Sequence, residues 1–412
     1  MFDQLTLPNG LRIIGEKIPH VRSVSVGIWV GAGSQNETPE ENGLSHYLEH
    51  MLFKGTERRS ARQIAEEMDA VGGQMNAFTS KECTCYYAKV VDEHLPLAID
   101  VLSDMLIHSA FDPVELNKER GVILEEIAMA EDTPDDLVSE MLMLARYGDQ
   151  PISRPILGTE ATVGSFQRED LVRYHAKMYR PENTVLALAG NYVWEDVVRE
   201  VEKWLGGWEK GVFEKQTVVT NEVAPTTLRK NKDIEQIHIC IGYPGVASGS
   251  DEVFPVSIFN SVFGGAMSSR LFQKIREESG MAYSVYSYPN NYTTCGMTAV
   301  YAGTNPEAAP EVIRMIREEA AKLAEEGMSE KEFVQAREQL KSSYILGLES
   351  TSSRMNSLGR RKLIYGDTRT EDEVIAKINA VTLEETNALM KKLLTGEFAV
   401  SLVGKGAETL EF

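Results

Sequence analysis

Two stretches decide the fold, "LSHYLEHMLFKG" at residues 44–55 and "FPVSIFNSVFGG" at residues 254–265. Aligned without gaps, Phe53 and Gly55 of the first meet Phe263 and Gly265 of the second, so the apolar scaffold is shared. His46, Glu49 and His50 meet Val256, Phe259 and Asn260. One copy carries three polar groups that its twin packs without. The triad is therefore not something this helix needs in order to pack.

Working outward, the match extends over most of the chain. "VSVGIWVGAG" ahead of the first stretch has a counterpart in "IHICIGYPG" ahead of the second, and "HSAFDPVELNKERGVI" pairs with "EEGMSEKEFVQAREQL". "FQREDLVRYHAKMYRPENTVLALAG" closes the first half as "VTLEETNALMKKLLTGEFAVSLVG" closes the second. Self-similarity on this scale signals duplication.

Within the first copy, Asn9-Gly10 supplies a turn between strand candidates in "LTLPNGLRIIGEKI". "RQIAEEMDAVGGQ" is predicted as an amphipathic helix ending at Gly72-Gly73, and "MNAFTSKECTCYYAKV" alternates as a strand pair. Helices follow in "LPLAIDVLSDMLIHSA" and "DPVELNKERGVILEEIAMAE", the latter with Pro113 after the N-cap candidate Asp112. The order predicts an α+β fold of two homologous domains, each a mainly antiparallel sheet packed with helices. Aperiodic "GWEKGVFEKQTVVTNEVAPTTLR" separates them, giving expected bounds of 1–209, a linker at 210–228, and 229–412.

At 412 residues the chain is long enough for two such domains. Lys and Arg total 42 against 62 Asp and Glu, a net charge of −20, which argues against nucleic acid as a partner because phosphate binding needs a positive surface. The same charge fits either plain solubility or an acidic cavity that attracts cationic peptides. No long apolar run and no basic leader followed by a cleavage signal are seen, so membrane insertion and export are not expected. Cys83 and Cys85 have one residue between them, not the two of a zinc knuckle. Reduced thiols and a cytoplasmic location are the expectation.

On a helix, residues four apart share a face, so His46 and His50 can aim ring nitrogens at one ion. Two imidazoles suit zinc. Glu49, one position before His50, fits a general base acting on water. The order His-x-x-Glu-His reverses the commoner His-Glu-x-x-His but offers the same functions. Catalytic zinc needs a third protein ligand. Glu119 and Glu126, seven apart on one face of the helix in "NKERGVILEEIAMAED", are the best source, whereas Glu125 is turned about 100° away and reads as a solvated charge. Glu126 is favoured as the ligand and Glu119 as a carboxylate that either supports a ligand or handles protons. In the second copy these positions are Ala336 and Ser343.

With these residues in place, the chain resembles the pitrilysin and insulinase-like zinc peptidases, the inverted zincins. "HYLEHMLFKGT", the "ERGVILEEI" helix and the paired domains carry the likeness. "GTERRSARQIAEEMDAVGGQMNAFTSKECTCYYAKV" and "SRPILGT" are most similar to processing-peptidase catalytic subunits and their bacterial relatives. The resemblance implies one Zn2+ per chain held by His46, His50 and Glu126, with Glu49 as general base and Glu119 as a further acid at the site. It also implies that Arg276 and Tyr283, in "SSRLFQKIREESGMAYSVYS", hold substrate and hydrogen-bond the tetrahedral oxyanion. Taken by themselves, both are equally ordinary helix-end and strand residues. A substrate strand is implied around Asn76, Ala77 and Phe78, where a peptide would pair by β-augmentation. Homodimers that enclose an acidic chamber are expected from the same likeness. The function expected is peptide hydrolysis, and the alternative is a noncatalytic subunit or scaffold of the same family.

Overall fold

Strand β3 (Ser23–Val30), "SVSVGIWV", is buried at every position but its first. Such unbroken burial, which takes in even the polar Ser25, marks a strand covered on both faces. In the computed structural model, which describes residues 2–211, 218–221 and 223–410, β3 lies inside a six-stranded sheet. Its neighbours are β1 (Asp3–Thr6), β2 (Arg12–Lys17), β4 (Gln74–Thr79), β5 (Thr84–Val91) and β6 (Thr184–Gly190), in the order β1-β2-β6-β3-β5-β4. Only β2 and β6 run parallel. Gly10, at φ +96°, takes the left-handed conformation needed between β1 and β2.

A second sheet is built from β7 (Thr227–Lys230), β8 (Ile237–Pro244), β9 (Ala282–Asn291), β10 (Gly296–Thr304) and β11 (Ala399–Val403). Its order, β7-β11-β8-β10-β9, with β7 and β11 parallel, repeats that of β2-β6-β3-β5-β4 strand for strand. The duplication is thus present in the topology as well as in the sequence, and both sheets pack against helices, as the α+β expectation has it. All four cysteines are free. Among the described residues no helix is long and apolar enough to cross a membrane.

The chain divides into two compact units, but not at the expected contiguous bounds. The first comprises Met1–Ala128, Arg154–Val218 and Leu346–Thr368; the second comprises Met129–Ser153, Val219–Ile345 and Arg369–Phe412. Each sheet borrows one helix from the opposite half of the sequence. Helix Thr351–Tyr365 lies on the first sheet, where Met355, Leu358 and Leu363 join Trp29, Val185, Ala187 and Ala189 in an apolar cluster. Trp29 Nε1 donates to Met355 Sδ at 3.4 Å, and a Cβ at Gly359 would fall 2.1 Å from the same nitrogen. Helix Pro134–Tyr147 covers the second sheet in the same way, burying Leu137, Val138 and Leu142 with Cys240, Ala299 and Ala399. Burial of the second face of each sheet, not sequence contiguity, sets the units. Of the expected linker at 210–228, residues 212–217 and 222 lie outside the described residues.

Candidate metal centre

The motif helix spans Leu44–Leu52 and begins after Gly43, which is left-handed at φ +105°. Its first amide groups have no partner inside the helix, and a carboxylate from outside supplies one. Glu37 accepts hydrogen bonds from Gly43 N at 2.8 Å, Ser45 N at 2.7 Å and Asn42 Nδ2 at 3.0 Å. Negative charge at a helix N-terminus is favourable, and leaving these buried donors unmet would cost about 1–3 kcal/mol each. Burial nonetheless pushes the Glu37 carboxyl up to about 7, against the pull of those donors. A further tie comes from Tyr47, whose hydroxyl donates to Leu116 O at 2.6 Å on the helix Pro113–Asp132. The two helices that carry the candidate ligands are thereby fixed to each other.

Across that junction three side chains converge. His46 Nε2 lies 3.6 Å and His50 Nε2 3.5 Å from the same oxygen, Glu126 Oε2, and one ligand atom from each residue falls within 4.8 Å of the others. Donors bound about 2.1 Å from a tetrahedral centre stand about 3.4 Å apart. The two distances to Glu126 Oε2 match that spacing and are long for direct hydrogen bonds. Burial, and next the neighbouring His50, push the His46 imidazole down to about 4, which leaves it neutral and able to ligate at neutral pH.

The groups around the cluster differ in how well they are satisfied. Glu119, buried at 6% exposure, accepts from His50 Nδ1 at 3.1 Å through one oxygen and meets Lys54 Nζ at 2.7 Å through the other. A carboxylate on the far nitrogen of a ligating histidine fixes its tautomer. His46 Nδ1 is buried with no hydrogen-bond partner among the described residues. Glu49 Oε2 accepts from Thr79 Oγ1 at 2.6 Å. Burial raises the Glu49 carboxyl above its usual range, opposed by the Thr79 hydrogen bond and by His50, while the charge of Glu126 adds to the rise. A carboxylate of raised basicity beside two imidazoles is what proton transfer at neutral pH requires.

Thr79 ends β4, an edge strand of the first sheet. Asn76 is exposed and its Oδ1 accepts from Ala77 N at 2.8 Å, Ala77 is buried, and half-buried Phe78 packs edge-on against Trp29 at 5.5 Å. Arg276 and Tyr283 belong to the second unit. There the Arg276 guanidinium lies 4.9 Å from the Tyr283 ring centroid and 4.8 Å from that of Phe272, with Tyr283 77% exposed.

Known proteins share this framework. The sequence pattern described as Insulinase (Peptidase family M16) matches residues 12–160, and that described as Peptidase M16 inactive domain matches residues 165–340. A Bacillus subtilis protein named as an uncharacterized zinc protease is 47% identical over 405 residues, covering 98% of both chains. The chain belongs to peptidase family M16. A Streptomyces coelicolor member, also named an uncharacterized zinc protease, is 42% identical over 97% of this chain and 88% of its own length. Two solved structures share the fold: a protease from Helicobacter pylori (TM-score 0.92, 19% identity, 98% and 99% coverage) and a peptidase M16 inactive domain from Pseudomonas fluorescens (TM-score 0.91, 18% identity, 98% of both chains).

Within the M16 framework the asymmetry between the two copies takes on meaning. The segment matched by the first pattern holds His46, His50, Glu119 and Glu126, whereas the segment matched as the inactive domain has Val256, Asn260 and Ala336 at the first three of these positions. Three residues at the cluster have no motif to announce them. Glu37 acts from outside the helix it caps, Thr79 reaches Glu49 across 30 residues, and Lys54 meets Glu119 across 65. Lys54 did carry a weak signal, since it continues the four-residue spacing of His46 and His50.

Proposed function

We propose that this M16 chain is a zinc-dependent endopeptidase. One observation carries the reading: His46, His50 and Glu126 bring three donor atoms to a common point next to a half-buried carboxylate, Glu49, that is not needed as a ligand. Two imidazoles and one carboxylate suit zinc, which when bound supplies electrophilic polarisation of a carbonyl and acidifies water. Glu49 takes the proton of the attacking water and delivers it to the leaving amine, with Thr79 holding one of its oxygens in place throughout. Glu119 keeps the His50 ring turned toward the ion.

The edge of β4, with Asn76, Ala77 and Phe78, is assigned to substrate main chain, and half-buried Arg276 and exposed Tyr283 to substrate carboxylate, carbonyl or oxyanion groups. The net charge of −20 supports cationic peptides as preferred substrates and an acidic enclosure formed by a homodimer. A cytoplasmic setting fits the four free thiols.

The test is hydrolysis of a mixed peptide library with cleavage sites mapped, with and without a chelator. Cleavage is expected to stop with chelator and to return on adding zinc. Cleavage indifferent to chelator, or none by zinc-loaded protein, would overturn the proposal, and the second result would favour a scaffold role.

A further inference from the structure

Lys54 stands one residue beyond the C-cap of the motif helix, Phe53, and one turn past His50. Its side chain is 30% exposed and its ammonium meets Glu119 Oε1 at 2.7 Å, while Glu119 Oε2 faces His50 Nδ1 at 3.1 Å. A glutamate's terminal torsion is soft, so a carboxylate held by one oxygen swings over a broad range. Held by both oxygens between an ammonium and an imidazole, it has one orientation. A carboxylate so fixed accepts from Nδ1, which makes Nδ1 the protonated nitrogen and leaves the Nε2 lone pair directed at the point shared with Glu126 Oε2, 3.5 Å away.

A second observation points the same way. In the second copy Lys54 is replaced by Gly264 and His50 by Asn260 on the sister segment, and Glu119 by Ala336 on the helix Glu330–Gly347. All three members of the chain of contacts are missing together where the scaffold residues Phe263 and Gly265 persist. The sister segment, which runs on as a π-helix over Ser261–Gly265, has no lysine there, and the lysine occurs in the copy that has a carboxylate and a ligating ring for it to hold.

We propose that Lys54 is a positioning residue for the metal centre, acting through Glu119 to hold His50 in the ring orientation that binds the ion. The inference rests on the zinc-site reading above. Its test is the zinc dissociation constant, measured by competition with a chromophoric chelator, for the full-length wild type, Lys54→Met, Lys54→Arg, Glu119→Gln and the Lys54→Met/Glu119→Gln pair.

Loss of an outer partner of a ligating histidine costs about 10- to 100-fold in metal affinity, and Lys54→Met is expected to fall in that range. Lys54→Arg should recover most of the loss. In the Glu119→Gln background Lys54→Met should add less than about 3-fold, because contacting residues that act in series are not additive. Thermal unfolding of the metal-free variants separates affinity from folding, and Lys54→Gln replaces Lys54→Met should the latter not fold. Wild-type zinc affinity in Lys54→Met, or an undiminished effect in the Glu119→Gln background, would overturn this inference alone. A wild-type protein that retains no zinc would overturn the site reading and this inference with it.

Discussion

Replacing Glu49 with glutamine is expected to leave about one zinc per chain and to lower peptide turnover by about 100- to 10,000-fold, the usual worth of a general base. The substitution is close to isosteric. A glutamine carbonyl still accepts the Thr79 hydroxyl that now lies 2.6 Å from Glu49 Oε2, so the side chain keeps its place and loses only its capacity to take a proton. Burial raises the basicity of Glu49, and an amide has none to raise. Because Glu49 is not among the three converging donors, metal content should not follow activity down. The measurement is kcat on a cleaved peptide beside elemental analysis of the same sample. Undiminished turnover would end the role assigned to Glu49; loss of zinc in parallel with activity would make it a structural member of the site instead.

Truncating Glu126 to alanine is expected to have the opposite signature, with zinc lost first and activity lost as a consequence. A three-donor site cut to two imidazoles should weaken by more than the about 10- to 100-fold that accompanies loss of an outer hydrogen-bond partner. Glu126 is the most exposed of the three ligand candidates, its side chain 36% accessible, whereas His46 is buried in the helix packing. Its removal therefore leaves the core untouched, which separates metal loss from unfolding more cleanly than His46→Ala would. Equilibrium dialysis against buffered zinc, with a thermal melt of the metal-free form, measures both. Retention of zinc at wild-type affinity would remove Glu126 from the ligand set.

The duplication could be read from "LSHYLEHMLFKG" and "FPVSIFNSVFGG" because a shared pattern of apolar and glycine positions is a local property. The strand order repeats accordingly, with β1 the one addition to the first sheet. The exchanged helices could not be read in that way. "PDDLVSEMLMLARY" and "TSSRMNSLGRRKLIY" each show an apolar stripe, but a stripe does not say which sheet it will cover, and the assumption of contiguous domains assigned both to the wrong neighbour.

The candidate site divides along similar lines. Spacing within a helix places His46 beside His50 and Glu119 on the face of Glu126, since the helical period is fixed. Contacts between elements follow no such rule. Thr79 and Lys54 are single residues of common types, and only the packing of β4 and of Pro113–Asp132 against the motif helix gives them partners. Glu37 looked like one acid among 62 acidic residues until the chain path brought it back over the start of the helix.

The central claim, that His46, His50 and Glu126 together bind zinc, is tested most directly by X-ray absorption spectroscopy of the zinc-loaded protein. The spectrum should require two imidazole nitrogens at about 2.0–2.1 Å with oxygen donors completing the shell, and Glu126→Ala should lose zinc or replace one oxygen donor by solvent. Sulfur scattering at about 2.3 Å, or fewer than two imidazoles, would contradict the assignment.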